Sequence, residues 1–181
     1  MTTLDDRLEV EFGAGLYAVA PALANSEQVR TVFNGFPAAV GVLCAEVDGE
    51  PRGMVATSLA VGVSYDPPMV LFSVRNDSST WPLLRRSSRI GISVLSEDQG
   101  IVCRQIAAKD GDRFSGLETK VTDDGSLFVD GALTWMDCEV AGEMPAGDHT
   151  VVTFLVHTVS HCRDVTPLIF HNSRFPRLLH D

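Results

Sequence analysis

Apolar residues in this chain recur mostly as short runs or alternations, the spacing of strands, and in two places only at the three-and-four spacing of a helix. Residues 38–47 (AAVGVLCAEV) form an apolar run that ends at Asp48-Gly49, a strong hairpin-turn signal, and a second β-like run follows over residues 52–62. A third run covers residues 69–74 after the rigid Asp66-Pro67-Pro68 turn, and further strands are predicted at 90–95, 132–140, 150–160 and 167–171. Helical spacing is confined to short pieces. Val29, Val32, Phe33 and Phe36 fall on one face of a helix that Ser26 can cap and that ends before Pro37. Ser96-Glu97-Asp98-Gln99 has the form of a capping box and opens a helix carrying Ile101, Val102, Gln105 and Ile106. Strand follows strand too directly for repeated βαβ units, so the pattern predicts a mainly β protein, an antiparallel barrel with a few short flanking helices. Residues 1–25, interrupted by Gly13, Gly15 and Pro21, read as an arm ahead of one domain over residues 26–181.

Composition removes several classes. With 181 residues, 45% apolar and 21% charged, the chain suits one soluble domain, and no apolar run nears the roughly twenty residues of a membrane span. The opening residues Met1-Thr2-Thr3-Leu4-Asp5-Asp6 lack the basic stretch and apolar run of a secretory signal, so a cytoplasmic protein is expected. Fourteen basic against twenty-four acidic residues give a net charge of −10, which repels a nucleic-acid backbone over most of the surface. Any anionic ligand must therefore be held locally, by hydroxyls, backbone N–H groups or a helix N-terminus. Cys44, Cys103, Cys138 and Cys162 are widely spaced and form no C-x-x-C, so free thiols in a reducing compartment are expected, with neither disulfide nor metal.

Candidate chemistry concentrates in residues 52–80. Thr57 and Ser58 interrupt an otherwise apolar strand, Ser64 follows, and Ser78-Ser79-Thr80 precede a helix-like segment that starts at Trp81-Pro82. A buried hydroxyl without a partner costs about 1–3 kcal/mol, so these hydroxyls have either backbone partners or a polar ligand. If residues 78–80 form a helix N-terminus, they make the best anion site on the chain, with Arg75, Arg85 and Arg86 near in sequence; those arginines read equally well as solvated surface charges. A second stretch, Ala146-Gly147-Asp148-His149-Thr150, delivers an Asp-His pair from a glycine turn to the start of a long strand. A histidine there can help hold a nicotinamide or donate a proton near neutral pH, although a turn histidine is more often merely exposed.

Taken with these stretches, the segments G-M-x-A-T-S-L at 53–59, V-S-x-D-P-P at 63–68, S-x-T at 78–80, G-D-R-F at 111–114, D-G-A-L-x-W at 130–135 and A-G-D-H at 146–149 make a specific pattern through their order and spacing. Over residues 33–175 the chain closely resembles the short-chain flavin reductases with an FMN-binding split barrel, the reductase components of two-component flavin-dependent monooxygenases. The resemblance implies an enzyme that passes hydride from NADH or NADPH to FMN or FAD, works as a homodimer and supplies reduced flavin to a separate monooxygenase. It implies that Thr57, Ser58 and Leu59 line the flavin, with backbone N–H groups at the isoalloxazine edge, and that Asp66 lies in the same region. Ser78, Ser79 and Thr80 would hold the ribityl chain and phosphate, Phe114 would close over the cofactor, and His149 would lie by the face where the nicotinamide stacks. Phe175 is the other implied nicotinamide-side residue, standing where the family often has a tyrosine, and Ser93 stands where an asparagine is common. A non-catalytic flavin-binding or flavin-sensing protein on the same fold is the alternative. An oxidase of the pyridoxamine-phosphate class would need a basic cluster for the substrate phosphate, which no stretch of the sequence supplies.

Three weaker signals are set aside. Gly13-Ala14-Gly15-Leu16-Tyr17-Ala18 fits a dinucleotide fingerprint, but Pro21 breaks the helix that should follow. His157 and His161 fall in a strand pattern, about 13 Å apart on one face, too far to share one metal. Asp110, Asp112, Asp123 and Asp124 surround glycines, which is ordinary turn chemistry.

Overall fold

The computed structural model describes residues 8–12, 15–19 and 26–178. In the expected arm, β1 (Leu8–Phe12) and β2 (Gly15–Val19) pair antiparallel with each other, while Gly13, Ala14 and Pro21 lie outside the described residues. Helix α1 (Ser26–Asn34) forms where its spacing predicts, yet most of its apolar stripe is exposed among the described residues: Val29 is half-buried, but Val32, Phe33 and Phe36 are 55%, 67% and 70% exposed. The period of the stripe specifies the helix but says nothing of what covers it.

From β3 (Ala38–Ala39) the chain enters β4 (Gly41–Val47), turns through Asp48 and Gly49 at φ 56° and 78°, and returns as β5 (Glu50–Ala56). Positive φ at both central residues is what a two-residue type I′ hairpin requires, and Asp-Gly tolerates it. The strand predicted over 52–62 is broken: the β5 ladder ends at Ala56 and pairing resumes only in β6 (Ala60–Tyr65), against β7 (Pro68–Arg75). The cause is Ser58. Its hydroxyl donates to the Ser73 carbonyl at 2.9 Å and accepts from the Ser73 N–H at 3.1 Å, so a side chain takes both bonds that a ladder backbone would make to β7.

One antiparallel sheet runs in the order β5-β4-β8-β11-β12-β7-β6, with β8 at Ile90–Val94 and the long hairpin of β11 (Thr134–Ala146) and β12 (His149–His161) at its centre. It curls until β5 touches β7, giving the expected mainly β barrel. Leu43, Phe72, Trp81, Ile92 and Phe154 fill one core, where the rings of Trp81 and Phe154 both lie within 6 Å of Phe72. A second core holds Val42, Leu95, Ile106, Leu127 and Leu168. Helices are short: α2 is a single turn (Trp81–Leu84), and α3 (Gly100–Ile106) follows the predicted capping box, where Ser96 N–H donates to Gln99 Oε1 at 3.0 Å.

Sequence patterning does not reveal β9 (Thr119–Val121) and β10 (Leu127–Val129), which are three residues each and too short to show a period. Strand β10 lies directly over β8 at Gly91, where an added Cβ would stand 2.3 Å from the Leu127 carbonyl oxygen. Buried Ser93 beside it accepts the Val129 N–H at 3.1 Å, which ties β10 down to β8. The last strand, β13 (Ile169–Phe170), pairs with β3.

Cys44, Cys103 and Cys138 are buried free thiols and Cys162 is exposed. Burial pushes the Cys44 and Cys138 thiols up to about 12. His157 Nε2 meets Glu139 at 3.0 Å and His161 Nδ1 meets Thr134 at 3.1 Å; among the described residues no His/Cys/Asp/Glu group is arranged to hold a metal. No helix among them is long and apolar enough to cross a membrane.

Candidate functional site

A cavity of about 860 Å³ opens between the end of β5, the 57–59 link, the end of β7 and the loop that enters α2. That volume suits a cofactor-sized ligand. Thr57, Ser58, Ser78, Ser79, Thr80 and His149, drawn from three separated stretches of sequence, all line it. The backbone of residues 57–59 lies outside every ladder, so the wall at Thr57 and Ser58 is peptide not committed to strand pairing. Met54, Ala56, Val74 and Ile106 add an apolar wall.

The hydroxyls differ in what they are free to do. Ser58 spends its oxygen on Ser73 and holds the link in place. Ser78 Oγ accepts the Trp81 N–H at 3.2 Å, and Thr80 Oγ1 accepts from Arg113 Nη1 at 3.1 Å; each keeps its own O–H to donate. Below them, the indole N–H of Trp81 donates to Glu143 Oε1 at 2.9 Å and Arg85 pairs with the other Glu143 oxygen at 3.1 Å, which ties the loop to the far end of β11. With α2 only one turn long, the helix dipole contributes little and the positive potential must come from side chains.

Those side chains are not the ones nearest in sequence. Arg85 is drawn to Glu143 and Arg86 to Asp48, while Arg75 lines the cavity with its charge taken by Asp77 at 2.7 Å, an ion pair that holds the exposed Asp77 carboxyl below its usual range. Lys109 and Arg113 line the cavity too, and neither forms an ion pair among the described residues. Sequence reasoning missed both. Arg113 sits inside the G-D-R-F segment, but nothing local showed that this loop would fold back over residues 78–80.

His149 begins β12 opposite Arg75, and its Nδ1 lies 2.8 Å from Asp148 Oδ1. The hydrogen bond from His149 keeps the Asp148 carboxyl below its usual range, so at neutral pH Asp148 is a carboxylate that can only accept. Nδ1 is then the donor, and Nε2 is the ring nitrogen left for a ligand.

The remaining implied residues lie elsewhere. Leu59 packs under the link, against Gly41 and the first core. Asp66 is exposed in the turn between β6 and β7 and does not line the cavity. Phe114 packs on Gly53 and lines an adjoining basin. Phe175 does not line the cavity either: the C-terminal stretch crosses α3, where its ring packs at a tilt against Phe170, 5.8 Å between centroids, under the Arg104 guanidinium.

The residues present fit a flavin phosphate ester. Hydroxyl donors, two cations without an ion pair among the described residues, apolar side chains and non-ladder peptide line the same cavity. Comparison with known proteins agrees. The family described as "Flavin reductase like domain" matches residues 33–179. A flavin reductase of Pseudomonas putida is 33% identical over 147 residues, 81% of this chain and 86% of that one. The reductase subunit HsaB of a flavin-dependent monooxygenase from Rhodococcus jostii is 31% identical, over 87% of this chain and 80% of its own. Among solved structures, the NADH:FAD oxidoreductase SgcE6 of Streptomyces globisporus, in complex with NAD and FAD fragments, superimposes with a TM-score of 0.84 at 28% identity, covering 91% of this chain and 99% of that one.

Proposed function

Because the chain belongs to the flavin reductase like family, we propose that it is an NADH- or NADPH-dependent flavin reductase acting on FMN or FAD and supplying reduced flavin to a separate monooxygenase component. The observation that carries this reading is the convergence, in one cavity, of the 57–58 backbone, the 78–80 hydroxyls, Arg113 and His149. Bound flavin supplies two-electron redox chemistry and the nicotinamide nucleotide supplies the hydride. The chain's own residues position and shield. Thr57 and Ser58 present peptide N–H groups to the ring edge, with Ser58 and Leu59 holding the link rigid. Ser78, Ser79 and Thr80, with Arg113 and Lys109, hold the ribityl chain and phosphate, and Phe114 packs behind them at Gly53. His149, fixed through Nδ1 by Asp148, offers Nε2 on the side open to the donor. Asp66 and Phe175 take no part within one chain.

A tail held by hydroxyls and by exposed or half-buried cations can also leave, as delivery to a second protein requires, and the likeness to HsaB, the reductase subunit of a flavin-dependent monooxygenase, supports such a partner. The apolar stripe of α1 and the edge strand β6, with Val61 and Tyr65 exposed, support a homodimer. Free buried thiols favour a reducing cytoplasm. The test is anaerobic mixing of purified protein, FMN or FAD, and NADH or NADPH. Loss of the visible flavin absorbance well above the uncatalysed rate is expected; no acceleration with any pairing overturns the reading. Sedimentation of the same sample at twice the chain mass checks the dimer.

A further inference from the structure

A second basin, about 690 Å³, opens beside the first and shares Ser79, Thr80, Lys109 and Arg113 with it as a common wall. Arg52, Leu83 and Phe114 line its other side, together with the carboxylates of Glu50 and Asp112. Among the described residues Arg52, Lys109 and Arg113 form no ion pair, and Arg113 Nη1 donates only to neutral oxygens, Thr80 Oγ1 at 3.1 Å and the Gly53 carbonyl at 3.3 Å. Three cations against two carboxylates leave this lining net positive on a chain whose net charge is −10. A mononucleotide uses one phosphate site, and the hydroxyls of residues 78–80 already provide it. A net positive basin continuing beyond that site is more than FMN requires.

We infer that this basin takes the adenylate half of a flavin dinucleotide, making FAD the preferred flavin of this protein. The inference rests on reading the first cavity as the flavin site. Arg113 stands at the junction of the two basins, where the pyrophosphate of FAD takes the place of the terminal phosphate of FMN. Arg52 and Lys109 supply the further positive charge that a second phosphate calls for, and Leu83 and Phe114 offer apolar surface to the adenosine. An adenylate group also ends the nicotinamide nucleotide, so the test must separate the two sources.

Flavin fluorescence titrations with FAD and FMN on the full chain, wild type and Arg52→Ala, are combined with steady-state KM values for NADH using FMN as acceptor. Arg52 is exposed on β5 and lines only the second basin, so the substitution leaves the fold and FMN reduction intact. The wild type is expected to bind FAD about tenfold or more tightly than FMN. Arg52→Ala should weaken FAD about three- to tenfold, the loss of one solvent-screened charge contact, and leave FMN within about twofold. Arg52→Lys should restore most of the FAD preference. Equal affinities for the two flavins in the wild type, or an Arg52→Ala effect that falls on both alike, overturns the inference while leaving the flavin site standing. A raised KM for NADH without a change in flavin preference assigns the basin to the hydride donor and also overturns it. Failure to bind either flavin would remove the first cavity's reading along with this one.

Discussion

Ser58→Ala separates a residue that touches the ligand from one that holds the wall the ligand touches. The substitution removes one O–H···O bond of 2.9 Å and one N–H···O bond of 3.1 Å, both to Ser73. Ser58 is exposed, so water can take over the freed groups and no buried orphan is left. The cost is that of two solvent-accessible hydrogen bonds, about 1–2 kcal/mol together. In a chain of 181 residues each kcal/mol moves the melting midpoint by about 2–4 °C, so flavin-free Ser58→Ala should melt about 2–8 °C below wild type. Hydrogen exchange at the Ser73 amide should accelerate in the same sample. Thr57→Val is the contrast, because the Thr57 hydroxyl lines the cavity and forms no hydrogen bond with another described residue. It should weaken flavin binding with an unchanged flavin-free midpoint. If flavin-free Ser58→Ala melts with the wild type and loses flavin affinity as Thr57→Val does, its hydroxyl serves the ligand and the clasp is refuted.

His149→Ala should slow hydride transfer about 10- to 100-fold in anaerobic stopped-flow while flavin affinity holds; an unchanged rate removes the histidine from the reaction. Arg113→Ala should weaken FMN about tenfold and riboflavin hardly at all, because only the phosphate ester carries the charge it answers; equal losses for both would place Arg113 against the ring. Gly91→Ala sets a methyl 2.3 Å from the Leu127 carbonyl, backbone that cannot rotate aside, so β10 must shift and strain its bond to Ser93; about 3 kcal/mol and a midpoint about 6–12 °C lower are expected by calorimetry. Raised thiol values make a pH prediction. Unfolded cysteine ionises near 9, whereas Cys44 and Cys138 are held to about 12, so their contribution to stability is complete below pH 9 and is lost as pH rises toward 12. Denaturant midpoints should fall across that window, and the fall should lessen in Cys138→Ala; correspondingly, a thiol reagent should find only Cys162 quickly in native protein and all four cysteines in denaturant.

Local signals carried most of the fold. Asp48-Gly49 specified its hairpin because only a few residue types tolerate positive φ at both positions, and the Ser96–Gln99 box marked the start of its helix for an equally local reason. The errors arose where a distant residue decided the outcome. The expected strand over 52–62 is broken because Ser58 finds Ser73, fifteen positions away, and β10 exists because Gly91 leaves room for it, a fact invisible in the run Leu127–Val129 itself. The lining of the cavity was legible in its hydroxyls, which stood out against an apolar background, and in the glycine turn that launches His149. Its cations were not. Arg85 and Arg86 lay nearest in sequence and proved committed to Glu143 and Asp48, while from beyond α3 Arg113 reaches the Thr80 hydroxyl and Lys109 lines the same cavity.

The placement of charge explains how so acidic a chain can hold an anion. At physiological ionic strength the field of an exposed charge decays over about 8 Å, so scattered surface carboxylates matter little to a ligand seated in a cavity more than a screening length away. What the ligand senses is its immediate wall. There Arg75 is cancelled by Asp77, but Arg113 meets only a carbonyl and a hydroxyl and Lys109 meets no carboxylate among the described residues, so the cavity presents an excess of positive charge. Those cations are exposed or half-buried rather than enclosed, which keeps each contact worth little on its own. Affinity then comes from several weak contacts acting together, and a ligand held that way is bound well enough to react and loosely enough to be handed on.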